Sequence, residues 1–131
     1  ANSGSRKRPK PVAYSAGVPD TVLKHTVVLP WNDAEACVKI LEKQGRDIAA
    51  LIVDPLMANA GLLVPQPGFL ERLREVTERL GIVLIFDEVI AFRVARGGAQ
   101  ERFGVRPDLT TVGMCCRERT VNGETSAEPK S

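Results

Sequence analysis

From Ile82 to Phe86, five apolar positions follow one another without a polar break, and Asp87 and Glu88 come directly after them. An unbroken apolar run of this length reads as a β-strand buried on both faces, the pattern of a parallel sheet. Ile48–Val53 repeats the pattern and ends in Asp54-Pro55. Thr26–Leu29 is a shorter strand candidate stopped by Pro30, and Leu109–Val112, after Asp108, is a last one. Between them the spacing changes to that of helices. Asn32 or Asp33 opens the first, with Glu35 three residues after Asn32 as in a capping box. Ala36, Cys37, Ile40 and Leu41 give it one apolar face, and Gly45 is its stop. The second starts at Gly68, repeats Phe69, Leu70, Leu73, Val76 and Leu80, and is capped by Gly81. Arg74 and Glu78, and Glu75 and Arg79, stand four apart, as ion pairs on an exposed face would. Residues 55–67 read as a loop, and residues 91–107 as a long loop or short helix rich in Gly and Arg. Strands alternating with helices at this spacing predict right-handed βαβ units and an α/β fold with a partial parallel sheet.

Composition narrows the classes. The chain has 131 residues, enough for one domain, with 44% hydrophobic and 26% charged residues. A net charge of +2 is too small to argue for nucleic acid. Much of the basic excess sits in Arg6-Lys7-Arg8-Pro9-Lys10. That cluster is read as a solvated terminal stretch rather than a nucleic-acid arm or targeting signal, because Pro and Ser surround it. No apolar run approaches a membrane span, and no signal-peptide core is present, so a cytoplasmic protein is expected. Cys37, Cys115 and Cys116 lack metal-ligand spacing and read as reduced thiols, with no metal site. His25, the single histidine, has no Ser or Cys partner motif and reads as a surface or strand-edge residue.

Candidate chemistry lies where the strands end. In open α/β sheets ligands bind at the carboxyl edge of the strands, and Asp87 and Glu88 stand there. A carboxylate in that place can hold a cationic group, including a protonated ring nitrogen. The plainer alternative is a cap on the strand end.

Several segments, in order, decide between the two. They are Ser15-Ala16-Gly17-Val18-Pro19, Leu29-Pro30-Trp31-Asn32-Asp33, and Ile48 through Pro55 leading to Asn59-Ala60-Gly61. Pro67-Gly68-Phe69-Leu70 follows, then Leu84-Ile85-Phe86-Asp87-Glu88-Val89 with Phe92-Arg93-Val94. Gly97-Gly98-Ala99-Gln100, Phe103 through Asp108 and Leu109 through Gly113 complete the set. Residues 12–113 resemble the class III aminotransferases of fold type I, which use pyridoxal phosphate, and within them the glutamate-semialdehyde aminomutases most. The resemblance implies that Asp87 pairs with the pyridine nitrogen of the cofactor, that Val89 packs on the ring face, and that Asn59 hydrogen-bonds the ring hydroxyl. For Asn59 a simple turn role is the rival. Asp54 stands where the family usually has glutamate before proline. The substrates implied are small-molecule amino donors and acceptors. The partners implied are a homo-oligomer or a full-length aminotransferase, with no nucleic acid and no membrane.

The departures matter as much. The family reads Leu-Gly-Lys and a glycine-rich run after the last strand, and that lysine forms the Schiff base with the cofactor. This chain reads Val112-Gly113-Met114-Cys115-Cys116-Arg117. It has Ala91-Phe92-Arg93 where the family has Thr-Gly-Phe-Arg, so after that one-residue deletion the lysine position falls on Met114. A thioether carries no amine to attack an aldehyde. Arg117-Glu118-Arg119 replaces the glycine run, and the family's upstream phosphate-binding segment has no counterpart. The expected organisation is a flexible lead (1–11), a partial aminotransferase large domain (12–113) and a divergent polar tail (114–131). The expected function is that of an aminotransferase fragment with no catalytic residue and no activity of its own. The rivals are a regulatory module that docks on a full-length relative, and a truncated gene product without function. With two helices for a doubly buried sheet, marginal stability is expected.

Overall fold

The computed structural model describes residues 2–5, 8–13 and 15–113. Met114 and the tail after it, with the readings placed on them, lie outside the described residues. The fold is α/β. Three strands, β3 (Ala50–Val53), β4 (Val83–Asp87) and β5 (Leu109–Thr111), form a parallel sheet in the order β3-β4-β5. Four pairs from Ala50–Val83 to Val53–Phe86 set the first register, and three from Ile85–Leu109 to Asp87–Thr111 the second. Helices α2 (Ala34–Gln44) and α3 (Phe69–Leu80) precede β3 and β4, and the short α4 (Gly98–Phe103) precedes β5. A five-residue helix, α1 (Asp20–Lys24), lies upstream.

The sheet has one covered face. Val53, Leu84 and Phe86 pack with Cys37 of α2 and with Phe69, Leu70 and Leu73 of α3. Val38 and Leu41 meet Val76 and Ile82 in an adjoining cluster. The alternate positions point the other way: Ile52 is 60% exposed, Val83 37% and Leu109 58%. This corrects the reading of a strand buried on both faces. A right-handed crossover between neighbouring parallel strands packs on one face of the sheet; α3 connects β3 to β4 in this way, and α2, ahead of β3, packs on the same face. The apolar run from Ile82 to Phe86 thus mixes buried positions, Ile82, Leu84 and Phe86, with the more open Val83 and Ile85.

Other expectations shift as well. Thr26–Leu29 forms no strand. Asp33, not Asn32, caps α2, its Oδ1 accepting from the Ala36 N–H at 3.0 Å. Asn32 takes a positive φ of 61° and clamps two loops, accepting from the Gln66 N–H and donating to the Val64 carbonyl. The i,i+4 pairs on α3 do not form. Arg72 pairs with Glu75 at 2.6 Å, Arg74 with Asp108 at 2.8 Å and Arg79 with Glu42 at 2.7 Å. Tertiary partners outcompeted the helix neighbours for Arg74 and Arg79, since pairs along one exposed helix face contribute only about 0.3–0.5 kcal/mol. Gly45 does not end the helical backbone at once, because a single 3₁₀ turn, Gly45–Asp47, continues α2. Where a flexible lead is expected, Asn2–Ser5 (β1) pairs antiparallel with Arg8–Val12 (β2). An isolated ribbon of two strands is marginal in water, so composition alone did not call for it.

Asp108 is a device the sequence did not show. Its Oδ2 accepts from the Leu84 N–H at 2.7 Å and pairs with Arg74. The Leu84 N–H first and Arg74 second hold its carboxyl below the ordinary value of 3.8. A depressed folded pKa adds stability that is complete above the unfolded value and is lost as pH falls through the folded one. Acid unfolding below about pH 4 is therefore expected to be shallower in Asp108→Asn than in the parent chain. Parallel denaturation curves across that range would contradict it.

Candidate functional site at the carboxyl edge of the sheet

β3 and β4 run parallel, so their carboxyl ends bring Asp54 and Asp87 to one edge. Both are half-buried. Asp54 accepts from the Leu56 N–H at 2.9 Å, and Trp31 donates its indole N–H to the Asp54 carbonyl at 3.3 Å. Burial raises the Asp54 carboxyl above its ordinary value of 3.8; the Leu56 N–H opposes this, and the charge of Asp87 adds to it. The Val53–Phe86 pairing puts Asp54 and Asp87 at the ends of neighbouring strands, and two carboxylates at one edge favour a cation beside them.

Asp87 ends β4. Its Oδ1 accepts from the Thr111 hydroxyl at 3.1 Å and from the Val89 N–H at 3.2 Å. Among the described residues, Oδ2 accepts no hydrogen bond. Alternation along β4 and β5 puts Asp87 and Thr111 on the open face of the sheet, beyond Val83 and Ile85. Val89 is half-buried and meets the backbone of Gly113 so closely that a Cβ at 113 would lie 3.0 Å from a Val89 methyl. The chain thus passes Val89 just before position 114. Asn59 lies in a single 3₁₀ turn, Ala58–Ala60, with its side chain exposed and in no hydrogen bond among the described residues. The structure therefore joins Asp87 to Thr111 and Val89 to Gly113, and leaves Asn59 as a turn residue at the edge of the loop.

Glu88, beside Asp87, turns the opposite way and is 0% exposed. It accepts from the Ala99 N–H at 2.6 Å and the Gln100 N–H at 3.2 Å. Thr111 and Glu88 are parts of this site that sequence reasoning left without a role. The signal for Glu88 was its place between the Ile82–Phe86 run and Val89-Ile90, where alternation turns it to the face opposite Asp87; Thr111 gave none, since strand register alone brings it opposite Asp87. The larger surface groove, lined by Glu71, Arg74, Glu78, Val105 and Asp108, is at the other end of β4. No helix among the described residues is long and apolar enough to cross a membrane, and among them no cluster of His, Cys, Asp or Glu could hold a metal ion.

The model of the aminotransferase class-III family matches residues 4–116. The chain belongs to that family. Among similar proteins are the glutamate-1-semialdehyde 2,1-aminomutases of Syntrophobacter fumaroxidans, 54% identical over 76% of this chain and 23% of that protein, and of Pyrobaculum neutrophilum, 55% identical over 78% and 24%. Among solved structures, an omega-transaminase from Sphaerobacter thermophilus is 44% identical with a TM-score of 0.77, covering 83% of this chain and 25% of that one. A glutamate-1-semialdehyde aminomutase variant from Pseudomonas aeruginosa in complex with PMP is 33% identical with a TM-score of 0.66, covering 76% and 22%. The chain thus spans about a quarter of the length of the class-III relatives it matches.

Proposed function

We propose that this class-III aminotransferase chain carries the ring-nitrogen half of a pyridoxal phosphate site and, by itself, performs no amino transfer. The observation that carries the reading is Asp87. It is a half-buried carboxylate at the carboxyl edge of a parallel sheet, oriented through one oxygen by Thr111 and Val89, with the other oxygen accepting no hydrogen bond among the described residues. Such a group suits a protonated pyridine nitrogen. The cofactor, when bound, supplies a ring that withdraws electrons from the amino-acid carbon, and the carboxylate keeps that ring cationic. Val89 would bound the ring face. Asn59 is the least supported of the three, because its side chain is exposed and unengaged. The residues present fit the ring and not the phosphate: cofactor phosphates are held by backbone N–H groups at a helix start, and the family's Gly-rich phosphate turn has no counterpart in these residues. Position 114 holds a methionine in place of the family's lysine.

The substrates of this lineage are amino and keto acids, and the chain's own contribution would be to orient and charge the ring. The open sheet face bearing Ile52 and Leu109 favours a second reading, a module that associates with a full-length relative. The test is an amide NMR titration with pyridoxamine phosphate. Shifts concentrated at Asp87, Val89 and Gly113, and lost in Asp87→Asn, are expected. Shifts that persist unchanged in Asp87→Asn would refute the assignment.

A further inference from the structure

We propose that Glu88 is the positioning residue for Asp87, locking α4 to the end of β5 so that Thr111 holds the Asp87 carboxylate in place. The inference rests on the reading of Asp87 as the ring partner for its purpose, but its geometry stands alone. A carboxylate with no exposed surface needs a reason to be there, because burying it without partners is costly. Glu88 has three. Its Oε2 accepts from the Ala99 N–H at 2.6 Å, and its Oε1 accepts from the Gln100 N–H at 3.2 Å and the Gln100 side-chain amide at 3.5 Å. The backbone approaches closely at Gly98, where φ is +76° and a Cβ would run into the Glu88 carboxylate and the Phe92 ring. Only glycine fits that place.

The network continues to β5. The Gln100 amide donates to the Thr110 hydroxyl at 3.3 Å. The Glu88 N–H donates to the Thr111 carbonyl at 2.9 Å, and the Thr111 hydroxyl donates to Asp87 Oδ1. β5 is only three residues long and, among the described residues, pairs on one side, with β4. Thr110 is thus held from the covered face through Gln100, and Thr111 reaches Asp87 on the open face. Glu88 links the two faces at the strand end. Gly113, two residues past Thr111, is where the chain passes Val89.

The Val89 amide reports on this arrangement, because it donates to Asp87 Oδ1 and not to the Glu88 carboxylate, whose donors are Ala99 and Gln100. In Glu88→Gln one amide group must face the backbone N–H donors, and Ala99 and Gln100 are expected to lose protection. If Glu88 positions Asp87, the Val89 amide also exchanges about tenfold faster, since its opening is coupled to that of the network. A cap confined to α4 would disturb Ala99 and Gln100 and leave Val89 unchanged, and that result overturns the proposal. Should Glu88→Gln fail to fold, the unaltered chain decides. The Val89, Ala99 and Gln100 amides are expected to share one opening with a common denaturant dependence; independent opening of Val89 overturns the proposal. The same samples titrated with pyridoxamine phosphate keep the two readings apart. Coupled exchange without any shift at Asp87 and Val89 on titration leaves Glu88 as proposed and removes the cofactor assignment. Uncoupled exchange with such shifts does the reverse.

Discussion

Incubated with pyridoxal phosphate and an amino donor, the unaltered chain is expected to give no turnover and, after borohydride reduction, no covalent adduct at residue 114. Met114 has no amine to join to the cofactor aldehyde or to move a proton from the substrate carbon. A positioned general base alone is worth about 10²–10⁴-fold in rate, so a rate at least about a thousandfold below that of a full-length relative is expected. Met114→Lys is expected to restore little. Asp87 offers one charge-assisted hydrogen bond, about 1.5–3 kcal/mol, while a dissociation constant of 1 mM needs about 4 kcal/mol. The cofactor would rarely be resident when the new amine is available. The measurement is intact-protein mass after reduction, with peptide mapping. A stoichiometric adduct at position 114 in the lysine variant would show that the phosphate-binding segment is dispensable. Turnover by the unaltered chain would overturn the reading of Met114 altogether.

Phe86→Ala is expected to unfold the domain or come close to it. Phe86 is 0% exposed and lies in the cluster that joins β4 to α2 and α3. Truncating such a ring costs about 3–5 kcal/mol in transfer and cavity terms, against a total stability of about 5–15 kcal/mol for a whole domain. With one sheet face uncovered, this chain should lie low in that range. Trp31 is the single tryptophan and packs against Phe69, in the same cluster, with ring centroids 5.5 Å apart and the rings tilted by 56°. Its fluorescence in urea therefore reads the loss directly. The control is Ile52→Thr on the open face, expected to change stability by about 0.5 kcal/mol or less and to reduce self-association. A loss below about 1 kcal/mol in Phe86→Ala would mean that this cluster is not the core.

The contrast between Phe86 and Ile52 shows how far the sequence could be read. Both sit in unbroken apolar runs, and both strands were placed from those runs to within two residues. The helices at Ala34–Gln44 and Phe69–Leu80 follow from their apolar spacing, since that face is what α2 and α3 bury. Which sheet face would be covered was not legible. An apolar run records that a residue type suits burial on both sides, and the number of layers present depends on what other chain is there to pack.

The same holds at the site. That Asp87 ends a buried strand at the edge where ligands bind was readable, because local patterning and the direction of the strand determine it, and the motif order pointed to the class-III family. The methionine at position 114 is likewise read from the sequence alone, and its match to the family's lysine is inferred from the motif order. The partners of these carboxylates were decided only in three dimensions. Thr111 lies 24 positions from Asp87 and Ala99 lies 11 from Glu88, and strand register and the close approach at Gly98 bring them together. Local periodicity sets which face each side chain takes; contact across the fold sets what it meets there, and hydrogen-bond geometry, sensitive to tenths of an ångström, depends on the second.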